Sequence, residues 1–84
     1  MLTEQEAKCI GYLGDFLEHE GHAPSYHQIA VAIGATARST AHKIIHQLEE
    51  KGLVIQPPNR RRALNLTEEG WVWARRNNPE EKKQ

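Results

Sequence analysis

The stretch PSYHQIAVAIGATARSTAHKIIHQLEEKG, residues 24–52, decides the fold. Ser25-Tyr26-His27-Gln28 has the spacing of a capping box, a hydroxyl at the helix start and an amide side chain three residues on. From there Tyr26, Ile29, Ala30 and Ile33 recur at i, i+3, i+4 and i+7, one face of a helix of about two turns, and Gly34 closes it. A longer helix is expected to begin near Ala37 with Thr36 as its cap. Its apolar stripe is Ala41, Ile44, Ile45 and Leu48, and Lys51-Gly52 supplies the cation and the glycine that end it. Two helices joined by a short glycine turn, the second the longer, read as a helix-turn-helix.

Toward the N-terminus, Thr3-Glu4-Gln5-Glu6 is another capping box, followed at helical spacing by Cys9, Ile10, Leu13, Phe16 and Leu17. Gly11 and Gly14 each weaken that helix by about 1 kcal/mol relative to Ala, so they mark the close approach of another element. The helix stops at Glu20-Gly21. Toward the C-terminus the period changes. Leu53-Val54-Ile55 and Ala63-Leu64-Asn65-Leu66 are short extended runs around the turn signal Pro57-Pro58-Asn59, which makes a hairpin tipped by Arg60, Arg61 and Arg62. Thr67 caps a last helix from Glu68 to about Arg76, and Asn77-Asn78-Pro79 breaks it. The order helix, helix, helix, strand, wing, strand, helix predicts a mainly α winged helix-turn-helix domain over residues 1–76, with a polar, disordered tail over 77–84.

Opposite the core stripe of the third helix lie Ser39, His42, Lys43 and His46, with Arg38 and Thr40 flanking them. All can hydrogen-bond and none is acidic, while Glu49 and Glu50 come only in the last turn. A recognition helix needs such side chains to reach base edges and phosphates of duplex DNA. Ser25, Tyr26 and His27 open the preceding helix on the same side. Asn59 and Arg60, Arg61 and Arg62 suit a wing on the backbone or in a narrow minor groove, stiffened by Pro57-Pro58. The net charge is zero, but residues 1–20 carry −4, residues 36–66 carry +4, and 67–84 balance. This asymmetry favours a polyanionic partner for the middle of the chain.

These residues resemble the DNA-binding domain of the LexA repressor family. The likeness runs over about residues 2–66: Leu2-Thr3 at the start, Gly21, Pro24-Ser25, Gln28-Ile29-Ala30, Ile33-Gly34, then Lys51-Gly52-Leu53-Val54 leading into the wing. Leu66-Thr67-Glu68-Glu69-Gly70 is similar to the strand-to-helix junction of many winged regulators. The resemblance implies a winged-helix transcriptional regulator, a repressor in outcome. Repressors of this kind also carry a self-cleaving protease domain, for which these 84 residues leave no room, so self-cleavage is not expected of them. The family reads its operator with an asparagine and paired glutamates. Ser39, His42 and Lys43 stand at the matching positions here, so the fold is expected to carry over and the operator is not.

Other classes fit less well. No glycine-rich phosphate loop or paired nucleophile and base is present, so no enzyme is expected. His42 and His46 have an i, i+4 ligand spacing and His19 and His22 are close, but a zinc site needs further ligands, so neither metal nor cofactor is expected. Cys9 is the single cysteine, so it forms no internal disulfide and suits a core position in a reducing cytoplasm, that of a prokaryotic or phage-encoded protein. No apolar run is long enough to span a membrane. The alternative that stays open is a winged helix used to grip a protein partner. Trp71 and Trp73 lie about 200° apart around the last helix. One is therefore expected under the wing with Leu66, and the other near the surface as part of a homodimer interface.

Overall fold

The computed structural model describes residues 2–57 and 64–77. Four helices and one hairpin follow in the order α1 (Glu4–Glu20), α2 (Tyr26–Ala32), α3 (Arg38–Glu50), β1 (Val54–Ile55), β2 (Asn65–Leu66) and α4 (Glu68–Arg76). The strands are antiparallel, with Val54 opposite Leu66 and Ile55 opposite Asn65. Both capping boxes form: Thr3 accepts from the Glu6 amide and Ser25 from the Gln28 amide, and each N3 side chain returns to its cap. Thr67 caps α4 by accepting from the Gly70 amide. The expected Thr36 cap does not form. The N-cap of α3 is Ala37, with extended φ and ψ and no side-chain acceptor, and the Thr40 amide donates to the Ala37 carbonyl at 3.1 Å instead of to a capping side chain.

Each helix contributes its apolar stripe to one core. Cys9, Ile10 and Leu13 of α1 meet Ile29 and Ala30 of α2, and Ala41, Ile44, Ile45 and Leu48 of α3, roofed by Leu53, Val54, Leu64, Leu66 and Ala74. Phe16 and Leu17, expected in the stripe of α1, are only half-buried, because α1 runs out beyond the core at its C-terminal end. Phe16 packs instead between Tyr12 (5.8 Å between ring centres) and the edge of His22 (5.5 Å). The Cys9 thiol is fully buried, and burial together with the nearby Glu6 charge pushes its pKa up to about 12, so it is a core residue and no nucleophile.

Gly11 and Gly14 do mark a close approach, and Gly70 adds a third contact. A Cβ on Gly14 would stand 2.6 Å from the Cβ of Ala74, and one on Gly11 or Gly70 would collide with the carbonyl of Asn77 or Leu53. The helices α1 and α4 therefore meet almost backbone to backbone. Trp71 lies beside Leu66, where one tryptophan is expected, and Trp73 is half-buried rather than fully at the surface, so both pack against the core. The reason is the buried Gly70–Ala74 stripe, which the two rings flank on opposite sides, Trp71 over Gly14 with Leu66 and Trp73 beneath the Arg76 guanidinium (5.4 Å). The exposed apolar residue of α4 is Val72. Asn77, placed in the tail by sequence, belongs to the folded body. Its side-chain amide donates to the Trp73 carbonyl at 2.8 Å and closes α4. Residues 78–84 lie outside the described residues.

An ion pair joins the N-terminal end of α1 to the C-cap of α3. Lys51 Nζ lies 2.6 Å from Glu6 Oε1, and the Glu6 side chain is 2% exposed. Burial opposes ionisation of this carboxyl, but the Lys51 hydrogen bond and charge and the Thr3 amide outweigh it and hold the pKa below its ordinary value. The carboxylate therefore stabilises the fold throughout the range above ordinary glutamate titration, and that contribution is lost as pH falls through the lowered pKa. Glu6→Gln should cost about 2 kcal/mol near neutral pH and flatten the acid limb of the stability curve. Denaturant titrations across the acid range check this, and an unchanged acid limb in the variant would show that other carboxylates govern it.

Candidate nucleic-acid interface

The burial of Ala41, Ile44, Ile45 and Leu48 turns the opposite side of α3 to solvent. Arg38, Ser39, His42, Lys43 and His46 are exposed and Thr40 is half-buried. At 100° per residue the five exposed positions sweep roughly 140° of the helix circumference. The arc is not uniform. Arg38 and His42 line a cleft with Pro24, Ser25, Tyr26, His27, Ile29, Gln56 and Leu64, between the start of α2 and the root of the hairpin. Thr40 and Lys43 face the other way, into a shallow depression beside Thr3, the cap of α1, and Glu4 and Gln5 of its first turn. Ser39 and His46 fall between the two. The structure thus joins the α2 residues to the first half of the arc and adds Pro24 and Gln56, which sequence reading did not select.

Two side chains behave differently from their sequence description. Tyr26 lies on the α2 stripe with Ile29, Ala30 and Ile33, yet only those three are buried. Its half-buried ring packs at the edge of the core and stacks on His42, 3.7 Å between ring centres and 17° between planes. His46 is turned toward the acids of its own last turn, with Nδ1 3.9 Å from Glu49 and Nε2 3.7 Å from Glu50. The acids expected to stand apart from the polar face thus adjoin its far end. Ser25 uses its hydroxyl as the α2 cap, and its own amide donates to Gln28 Oε1 at 2.8 Å. Asn59 and Arg60, Arg61 and Arg62 of the wing lie outside the described residues.

Electrostatically, the exposed arc holds Arg38 and Lys43 and no acid before Glu49. Among the described residues no cluster of His, Cys, Asp and Glu has the grouping that would hold a metal ion. Also among them, no helix is long and apolar enough to cross a membrane.

Comparison with known proteins gives one consistent result. The family model described as the LexA DNA binding domain matches residues 1–63. The LexA repressor of Carboxydothermus hydrogenoformans is 33% identical over 69 residues, which is 82% of this chain and 34% of the relative. That of Erythrobacter litoralis is 35% identical over 66 residues, 79% of this chain and 28% of the relative. That of Lactobacillus helveticus is 33% identical over 66 residues, 79% and 32% respectively. The chain spans about a third of the length of the curated relatives it matches.

Proposed function

The chain belongs to the LexA DNA-binding domain family, and from that premise we propose that it binds double-stranded DNA sequence-specifically and represses transcription. The observation that carries the reading is the exposed, acid-free first three turns of α3, set beside the start of α2 and the root of the hairpin. In this reading α3 enters the major groove. Arg38, Ser39, Thr40, His42, Lys43 and His46 address bases and nearby phosphates, while Ser25, Tyr26 and His27 flank the groove wall. Asn59, Arg60, Arg61 and Arg62 extend the contact along the backbone or into the minor groove. The domain proper is residues 1–77, with Asn77 as the cap of α4, and in this reading the protein is prokaryotic or phage-encoded, acts in the cytoplasm, catalyses no reaction and uses no cofactor.

The partner on DNA is a second copy. Val72 and Ile55 are 46% and 53% exposed, and with Trp71 they border one surface groove flanked by Glu18, Glu68, Glu69 and Arg75. An apolar surface with acids and a cation at its rim suits an isologous contact, in which each Arg75 meets the other copy's acids. Selection of bound duplexes from a random pool, followed by sedimentation of the selected complex, tests both statements. The expected result is a palindromic site with half-sites about one helical turn apart and two subunits per site. One subunit on a non-palindromic site would remove the dimer. Failure to bind any duplex at low salt would remove the DNA reading and favour a protein partner for the same face.

A further inference from the structure

We propose that Tyr26 is a positioning residue: it holds the His42 ring in the orientation that reads a base and ties that ring, through Gln56, to the root of the wing. The inference rests on the reading of α3 as the groove-facing helix and says what sets its specificity.

The geometry is built in three steps. The Ser25 capping box fixes Tyr26 as the first residue of α2, so the direction in which its side chain leaves the backbone is set by the cap. Its ring then lies flat on His42, 3.7 Å away at 17°, covering one face of the imidazole, while His42 as a residue stays exposed. Finally, its hydroxyl accepts from Gln56 Nε2 at 2.7 Å. Gln56 directly follows β1, where the chain leaves for the wing. One side chain therefore spans the helix before the turn, the recognition helix and the hairpin.

Tyr26 stays half-buried against the core while its ring covers His42, so the stack restrains the histidine from a fixed base. A histidine on an open helix face samples several rotamers, and fixing it on DNA would weaken binding by about two- to tenfold. A ring already held flat against Tyr26 has lost that freedom before DNA arrives. Its edge nitrogens then point at a defined place relative to the helix axis, which is what base discrimination requires. The Gln56 hydrogen bond adds a second constraint, since any swing of the wing root relative to α3 would pull on the ring that braces His42.

The test compares base preferences of selected duplexes for the wild type, His42→Ala, Tyr26→Leu and Tyr26→Phe. Tyr26→Leu should lose about five- to tenfold discrimination at the same base position that His42→Ala loses, and the double variant should lose no more than His42→Ala alone. Tyr26→Phe keeps the stack, so it should preserve that preference and weaken binding to all sequences about threefold, matching Gln56→Ala and adding nothing to it. Folding is controlled independently. In the free protein the His42 ring protons should be shifted upfield by the tyrosine ring in the wild type and in Tyr26→Phe, but not in Tyr26→Leu. Uniformly weaker binding with unchanged base preference in Tyr26→Leu would overturn the inference and leave DNA binding standing. Absence of duplex binding by the wild type would overturn both.

Discussion

Raising monovalent salt fourfold, from about 50 to about 200 mM, should weaken duplex binding by roughly 60- to 500-fold per subunit. The figure comes from counting cations on the proposed face. Arg38 and Lys43 are exposed on α3, and Arg60, Arg61 and Arg62 stand in the sequence of the wing. Together they neutralise about 3–5 phosphates, and each releases counterions, so log K falls against log salt with a slope of roughly −3 to −4.5. No acid lies on the first three turns of α3 to offset this. Changing the three wing arginines together to Ala should cut the slope by about 2–3 and weaken binding to every sequence alike. Lys43→Ala should instead relax the preference at one base position by about 1–3 kcal/mol. Fluorescence anisotropy across a salt series separates the two effects. A flat salt response would be incompatible with a phosphate-binding surface.

Gly70→Ala should destabilise the domain by about 2–3 kcal/mol, although alanine is the better helix former by about 1 kcal/mol. The added methyl would be driven into the Leu53 carbonyl, which cannot swing aside as a flexible side chain would. That carbonyl is held in place: it accepts from the Thr67 amide at 3.1 Å, while the Thr67 hydroxyl donates to the Gly52 carbonyl at 2.8 Å. For a domain of this size the loss corresponds to a fall in Tm of roughly 8–24 °C. Gly21 supplies the contrast. A Cβ there meets nothing within 4 Å, but φ is +77°, so Gly21→Ala should cost about 1 kcal/mol through backbone strain alone. Thermal melts of the two variants distinguish packing from conformation. A neutral Gly70→Ala would mean that α4 can lift off the hairpin without loss.

Most of the fold could be read from the chain because its signals are local. Thr3 with Glu6, and Ser25 with Gln28, lie three residues apart, and Gly21 and Gly34 stop helices by a property of their own backbone. The single missed cap, Thr36, is one residue from the true N-cap, and Ala37 gives no chemical sign of that role. What escaped was tertiary. Glu6 and Lys51 are 45 residues apart, and each has a sufficient local role, one as the partner in a capping box and the other as a helix-ending cation. Tyr26 fits the α2 stripe by spacing, and nothing in the spacing says that its ring, half-buried at the edge of the core, will also stack on His42. Gln56 carried a signal that could have been used, as the first polar side chain after a short apolar strand. For the tryptophans, the expectation of one beside Leu66 holds for Trp71, but helical angles on α4 alone do not show how far Ala74 lets that helix sink against Gly14 of α1, so the cover that half-buries Trp73 is not legible in the spacing.

That sunken helix has a consequence for the order in which the protein is made. The most extensive contact between elements is the one between α1 and α4, the first and last helices of the described chain. A ribosome adds roughly 5–20 residues per second, so on the order of 3–10 s separates completion of the one from arrival of the other. Through that interval Cys9, Ile10 and Leu13 can be covered from one side only, by α2 and α3, and the glycine face of α1 has no partner. The window in which a chaperone or an oxidant can meet this domain is therefore set by translation speed across residues 21–77, and slow codons there should lengthen it.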